Sequence, residues 1–244
     1  MEKIETSYPK GVNLLLMLMI SADCLLILLH TLHRLFFRFN IHFPSLENRS
    51  FSLETDLGIA ESFQYIKEFW MIILVLIFIW KYKESIILYV SWSFLFAYLL
   101  LDDMLSIHDQ LAPLWVEEYQ LGTIASVNVG ELTITAVVGM FFCVVLSLNY
   151  IRAGRLARVH SRYFMLFVVV LAGFGVGFDI IHSFFSHSSI PVIEILAIIE
   201  ESGELFVMSF SVWATFILYY GETVSEFRFI PLLNLNPGIS EIPQ

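Results

Sequence analysis

Six apolar stretches dominate the chain, at roughly 12–36, 62–80, 86–104, 127–150, 163–185 and 191–220. Each is about 20 residues or longer, enough for a helix to cross a hydrocarbon core of about 30 Å. Composition agrees: 58% of the 244 residues are hydrophobic and only 15% charged, against about 25% charged in a soluble domain. The expected fold is therefore all-α, a polytopic integral membrane bundle of six transmembrane helices forming one domain over 1–220. The segment 221–244, with Pro231, Pro237 and Pro243, reads as a loosely ordered tail. The first stretch is too long for a signal-peptide core, contains Asp23 and precedes no small-residue cleavage site, so it reads as a retained helix. Cys24 and Cys143 fall inside spans and say nothing about redox compartment. No nucleic-acid partner is expected.

Lysine and arginine set the orientation, because cytoplasmic loops hold an excess of both. Six spans place Lys3, Lys10, Lys81, Lys83, Arg152, Arg155, Arg158, Arg162 and Arg228 on one side, and Arg34, Arg38, Arg49 and Lys67 on the other. This distribution predicts cytoplasmic termini. The weakest boundary is KYKE (81–84), which joins the second and third spans without Gly or Pro and suggests helices that run past the membrane before turning. On the outer side, APLWVEEY suits a short interfacial helix, and Asn48-Arg49-Ser50 forms a glycosylation sequon.

Against this background the acids are misplaced. IIEESGELF (198–206) sets Glu200, Glu201 and Glu204 inside the last span. Placed by depth, Asp102, Asp103, His108, Glu131, Asp179, His182 and the three glutamates all fall toward the outer side. Stretches 86–97, 137–148, 163–175 and 207–220 hold no ionisable group of this kind. An acid near a helix centre costs about 2.5–3.5 kcal/mol on insertion scales and normally faces a bundle interior with a partner. Either the cluster shares protons or a cation neutralises it.

Spacing favours a cation. Asp179 and His182 lie at i, i+3, Glu200 and Glu204 at i, i+4, and Glu201 and Glu204 at i, i+3, so each pair shares a helix face. Asp103 and His108, five apart, converge only if the helix ends between them. Carboxylates and two histidines from several helices approach the ligand set of bundle-core dimetal sites, with an Asp-x-x-His in place of Glu-x-x-His. The expected ligands are Asp103, His108, Glu131, Asp179, His182, Glu200 and Glu204. They would hold one or two divalent ions of Fe, Mn or Zn, with Glu201 and Asp102 as spare carboxylates that move protons. His30 and His33 form a reserve pair.

The expected function is that of an outward-facing membrane metalloenzyme, a hydrolase or oxidoreductase, acting on a membrane lipid or lipid-like amphipath. The alternatives are a cation or proton transporter or channel using the same acids, and a structural or sensory subunit. Gly173 and Gly177 form a small-xxx-small pair expected to bring another helix, or a second copy of the chain, into close contact.

Overall fold

The computed structural model describes residues 9–39, 48–53, 55, 57–118, 124–185 and 190–220. Among them are seven α-helices and no strand: α1 (Lys10–Arg38), α2 (Ile59–Lys81), α3 (Ile86–Leu105), α4 (Ile107–Glu118), α5 (Ile124–Arg152), α6 (Arg155–Phe185) and α7 (Ile190–Tyr220). Five of these, α1, α2, α3, α5 and α6, contain stretches long and apolar enough to cross a membrane. The 31 residues of α7 extend about 46 Å, but its first half carries Glu194, Glu200, Glu201 and Glu204. The protein is an all-α polytopic membrane bundle.

The turn between α2 and α3 is tighter than KYKE suggests. Helix α2 stops at Lys81, Tyr82 leaves the helical conformation, and one 3₁₀ turn over Lys83–Ser85 leads directly into α3. The two helices then pack along each other, as do α6 and α7, while α7 also lies against α1 and α2. Helix α6 begins at Arg155, eight residues before the apolar stretch, and so brings His160 into the helical bundle. Helix α4 forms where a short interfacial helix is expected but starts earlier. The chain breaks at Ser106, in the left-handed conformation at φ 45°, and α4 follows at once and packs on α5.

Apolar packing is densest toward the end of the bundle holding the α2–α3 turn. Phe78, Tyr89, Trp92, Phe164 and Val212 have no measurable exposure. His160 lies fully buried in this layer, its Nδ1 2.8 Å from the Tyr89 hydroxyl and its ring edge-on to Phe78. The Trp92 indole donates to Ser161 Oγ at 2.9 Å. Buried indole, phenol and imidazole groups need such partners, so these hydrogen bonds fix the register of α3 against α6.

Helix α1 is peripheral, with Leu14, Leu18, Leu25 and Leu28 more than half exposed. Lipid tails are as apolar as leucine, so these side chains supply little drive for docking. Polar contacts along the helix supply it. Asn13 accepts from the Trp213 indole at 3.1 Å, Asp23 binds α2 and α7, and His30 Nδ1 accepts from Leu53 N at 3.0 Å. The reserve ligand His30 is thus committed to the segment preceding α2.

The α6–α7 contact differs from the expected Gly173/Gly177 face. Among the described residues, nothing lies within 4 Å of a β-carbon placed at Gly173, and one at Gly177 meets only the Ala172 carbonyl. The close approach is at Gly203, where a β-carbon would come within 2.1 Å of the Phe174 ring, and at Gly175, where it would lie 2.6 Å from Glu204 Oε1. Gly203→Ala is therefore expected to destabilise the fold by about 1–3 kcal/mol through overpacking, whereas Gly173→Ala leaves it unchanged or slightly more stable. Thermal unfolding of the two variants in detergent checks the contrast.

Candidate intramembrane polar site

The buried face of α2 is one stripe: Ala60, Gln64, Lys67, Glu68, Met71, Leu74, Val75 and Phe78. The spacings of three and four place all eight on the side facing the bundle. The apolar part of the stripe joins the aromatic core, and the polar part forms the floor of a charged site shared with α1, α3 and α7. Gln64 is 7% exposed and Lys67 and Glu68 are 2% exposed, so all three side chains are inside the bundle.

Lys67 is saturated with acceptors. Its ammonium lies 2.9 Å from Asp23 Oδ1 on α1, 2.8 Å from the Leu205 carbonyl on α7 and 3.3 Å from Ser209 Oγ. The Ser209 hydroxyl in turn donates to Asp23 Oδ2 at 2.5 Å. Asp23 and Ser209 are both fully buried. The opposite charges cancel locally, and every lysine proton has an acceptor, which is the condition for an ion pair to persist at low dielectric. Lys67, counted by sequence reasoning among the outer-side charges, is buried as the counter-ion of Asp23.

Glu68 is in the opposite condition. Among the described residues, no N–H or hydroxyl group donates to its buried oxygens. It faces the carboxyl groups of Asp103 on α3 and Glu204 on α7, with Lys67 as the nearby positive charge. Two carboxyl groups within hydrogen-bonding reach bond only when one carries a proton, because ionised carboxylates are acceptors alone. Gln64 Nε2 donates to Glu204 Oε2 at 3.1 Å, and Tyr65 donates to the Asp103 main-chain carbonyl at 3.1 Å. Glu204 lies over the bare backbone of Gly175, where any larger residue would displace it.

Three helices thus bring Glu68, Asp103 and Glu204 together, and two of these are sequence-predicted ligands. His108 joins a different partner. Its backbone N–H donates to Asp102 Oδ1 at 3.1 Å and its Nδ1 lies 3.2 Å from Asp102 Oδ2. Ser106 makes this possible by turning the chain so that Asp102 reaches the start of α4. Asp102, expected as a spare carboxylate that moves protons, accepts from that turn. Glu131 on α5 and Glu200 and Glu201 on α7 are half-buried. Asp179 and His182 lie on α6, one and nearly two turns beyond Gly175, and their side chains lie outside the described residues. Among the described residues, no three His, Cys, Asp or Glu side chains are arranged to hold a metal ion.

Sequence reasoning missed Glu68, the two α2 residues beside it and the role of Asp23. The signal was available: Gln64, Lys67 and Glu68 continue the apolar stripe of α2 at helical spacing, which places charges on the core face. Breaking the ion pair tests the arrangement. Lys67→Met alone is expected to cost about 3–5 kcal/mol by leaving Asp23 buried and unpaired. Asp23→Leu combined with Lys67→Met should recover most of that loss, as read by thermal unfolding of the purified variants.

No curated protein and no solved structure matches the chain. One family does match, over residues 52–220, from the segment before α2 through the end of α7. The chain belongs to the family described as Domain of unknown function (DUF8692).

Proposed function

We propose that the protein binds a cation at the acidic end of its bundle, and that the cation is a catalytic divalent metal ion. The observation that carries this reading is Glu68, whose two buried oxygens receive no N–H or hydroxyl donor among the described residues while facing the carboxyl groups of Asp103 and Glu204. Asp23 already neutralises Lys67, so negative charge on Glu68, Asp103 and Glu204 has to be met by protons or by a bound cation, and this reading assigns it to a cation. Oxygen donors with histidine nearby suit Fe, Mn or Zn. The turn of α6 bearing Asp179 and His182 follows Gly175, and the turn of α7 bearing Glu200 and Glu201 precedes Glu204; Gly175 and Glu204 touch. Those neighbouring turns supply the remaining donors in this proposal. A metal there would activate water or dioxygen toward a lipid or amphipathic substrate entering from the same end, with Glu201 as the spare carboxylate.

A second reading is favoured by a specific observation: the described donors do not close on a metal-sized point. In it, Glu68, Asp103 and Glu204 share protons, and the Lys67–Asp23–Ser209 cluster extends the polar network toward the bilayer centre, as in a proton or cation carrier. Elemental analysis of the purified protein separates the two. The metal reading expects one or two Fe, Mn or Zn ions per chain, lost on Glu68→Gln and on Glu204→Gln. A folded, metal-free protein in which Glu68→Gln leaves thermal stability unchanged would discard it in favour of shared protons, because glutamine mimics a protonated glutamate.

A further inference from the structure

The end of the bundle opposite the acids carries a concentrated positive surface. Lys83, Arg152, Arg155, Arg158 and Arg162 are all exposed there. They come from two turns joined in space: Gly154 N, between α5 and α6, donates to Ser85 Oγ, between α2 and α3, at 3.0 Å. A β-carbon on Gly154 would lie 3.6 Å from both the Glu84 carboxyl and Ser85 Oγ, so the two turns form one surface. Lys81, beside them, is already engaged by the Tyr219 carbonyl and by the rings of Tyr82 and Tyr219.

The arginines of α6 are arranged for an external partner. Ala157, His160, Ser161 and Phe164 fill the core side of the first turns, and Arg155, Arg158 and Arg162, at i, i+3 and i+7, form the exposed stripe beside them. Among the described residues, Arg152, Arg155 and Arg158 form no ion pair, and Arg162 donates through Nε to the Tyr150 hydroxyl at 2.9 Å. The depth is also appropriate. Helices α5 and α6 have 29 and 31 residues, about 43 and 46 Å, longer than a hydrocarbon core of about 30 Å and comparable to a bilayer including its headgroups. Their joined ends therefore stand in the headgroup layer.

We propose that this two-turn surface binds the phosphate groups of anionic phospholipids in the adjoining leaflet, with the α6 arginine stripe as its centre. A guanidinium offers a rigid fork of donors that matches phosphate oxygens, and basic clusters bordering a membrane span attract anionic lipid. The proposal is independent of the site at the acidic end.

The test uses the full chain purified in neutral detergent and titrated with short-chain phosphatidylglycerol or phosphatidylcholine, retained lipid being counted by native mass spectrometry. The wild type is expected to retain phosphatidylglycerol in preference to phosphatidylcholine. The triple variant Arg155→Gln/Arg158→Gln/Arg162→Gln should lose about tenfold or more in apparent affinity. Arg34→Gln/Arg38→Gln, at the other end, should retain wild-type binding. Thermal unfolding monitors folding, and Arg155→Gln alone provides a milder variant expected to show a partial loss. Equal retention of the two lipids, or full binding by the triple variant, would overturn the proposal. So would complete displacement of phosphatidylglycerol by millimolar inorganic phosphate, which would assign the surface to a soluble anion.

Discussion

The Lys67–Asp23 ion pair is the interaction on which the acidic half of the bundle depends. A lone ammonium or carboxylate inside lipid is costly and must find a partner, and here one contact satisfies both. The pair ties α1 to α2, and Ser209 and the Leu205 carbonyl bring in α7. With this neutral cluster beneath it, Glu68 can occupy the bundle interior beside Asp103 and Glu204. The site is thus layered: a compensated charge pair below, and a group of neighbouring carboxyl groups above.

The other half of the molecule is organised differently. Its interior is aromatic, with hydrogen bonds at Tyr89–His160 and Trp92–Ser161 that leave the charged groups to the surface. The basic side chains stand outside this layer on turns linked by Gly154 and Ser85. The two ends of one bundle therefore present different chemistry: carboxyl groups turned inward at one, guanidinium groups turned outward at the other.

Much of the fold was legible because hydropathy over about 20 residues is a strong signal of a membrane helix. The all-α bundle and the clustering of acids toward one end follow from it. Individual partners did not, because hydropathy averages over helix faces. Lys67 and Glu68 lie close to a span boundary, so depth alone left them looking peripheral, although their spacing with Met71 and Val75 marks the core face. Asp103 and Glu204 were recognisable as intramembrane acids, but Glu68, which faces both, was not. The pairing of His108 with Asp102 depends on the left-handed turn at Ser106, a position where sequence offers no glycine to announce it. In the α6–α7 contact the glycine pattern was visible, but the tight positions are Gly175 and Gly203 rather than Gly173 and Gly177.

The ion pair also has a consequence for how the chain is made. Asp23 is synthesised 44 residues before Lys67 and 186 residues before Ser209. When α1 first meets the membrane during translation, its central carboxyl group has no counter-charge until α2 arrives. The lysine of α2 is equally unfavourable in lipid by itself. The charges of the first two helices are thus matched in the bilayer only when the two are paired, with α7 adding the Ser209 hydroxyl and the Leu205 carbonyl.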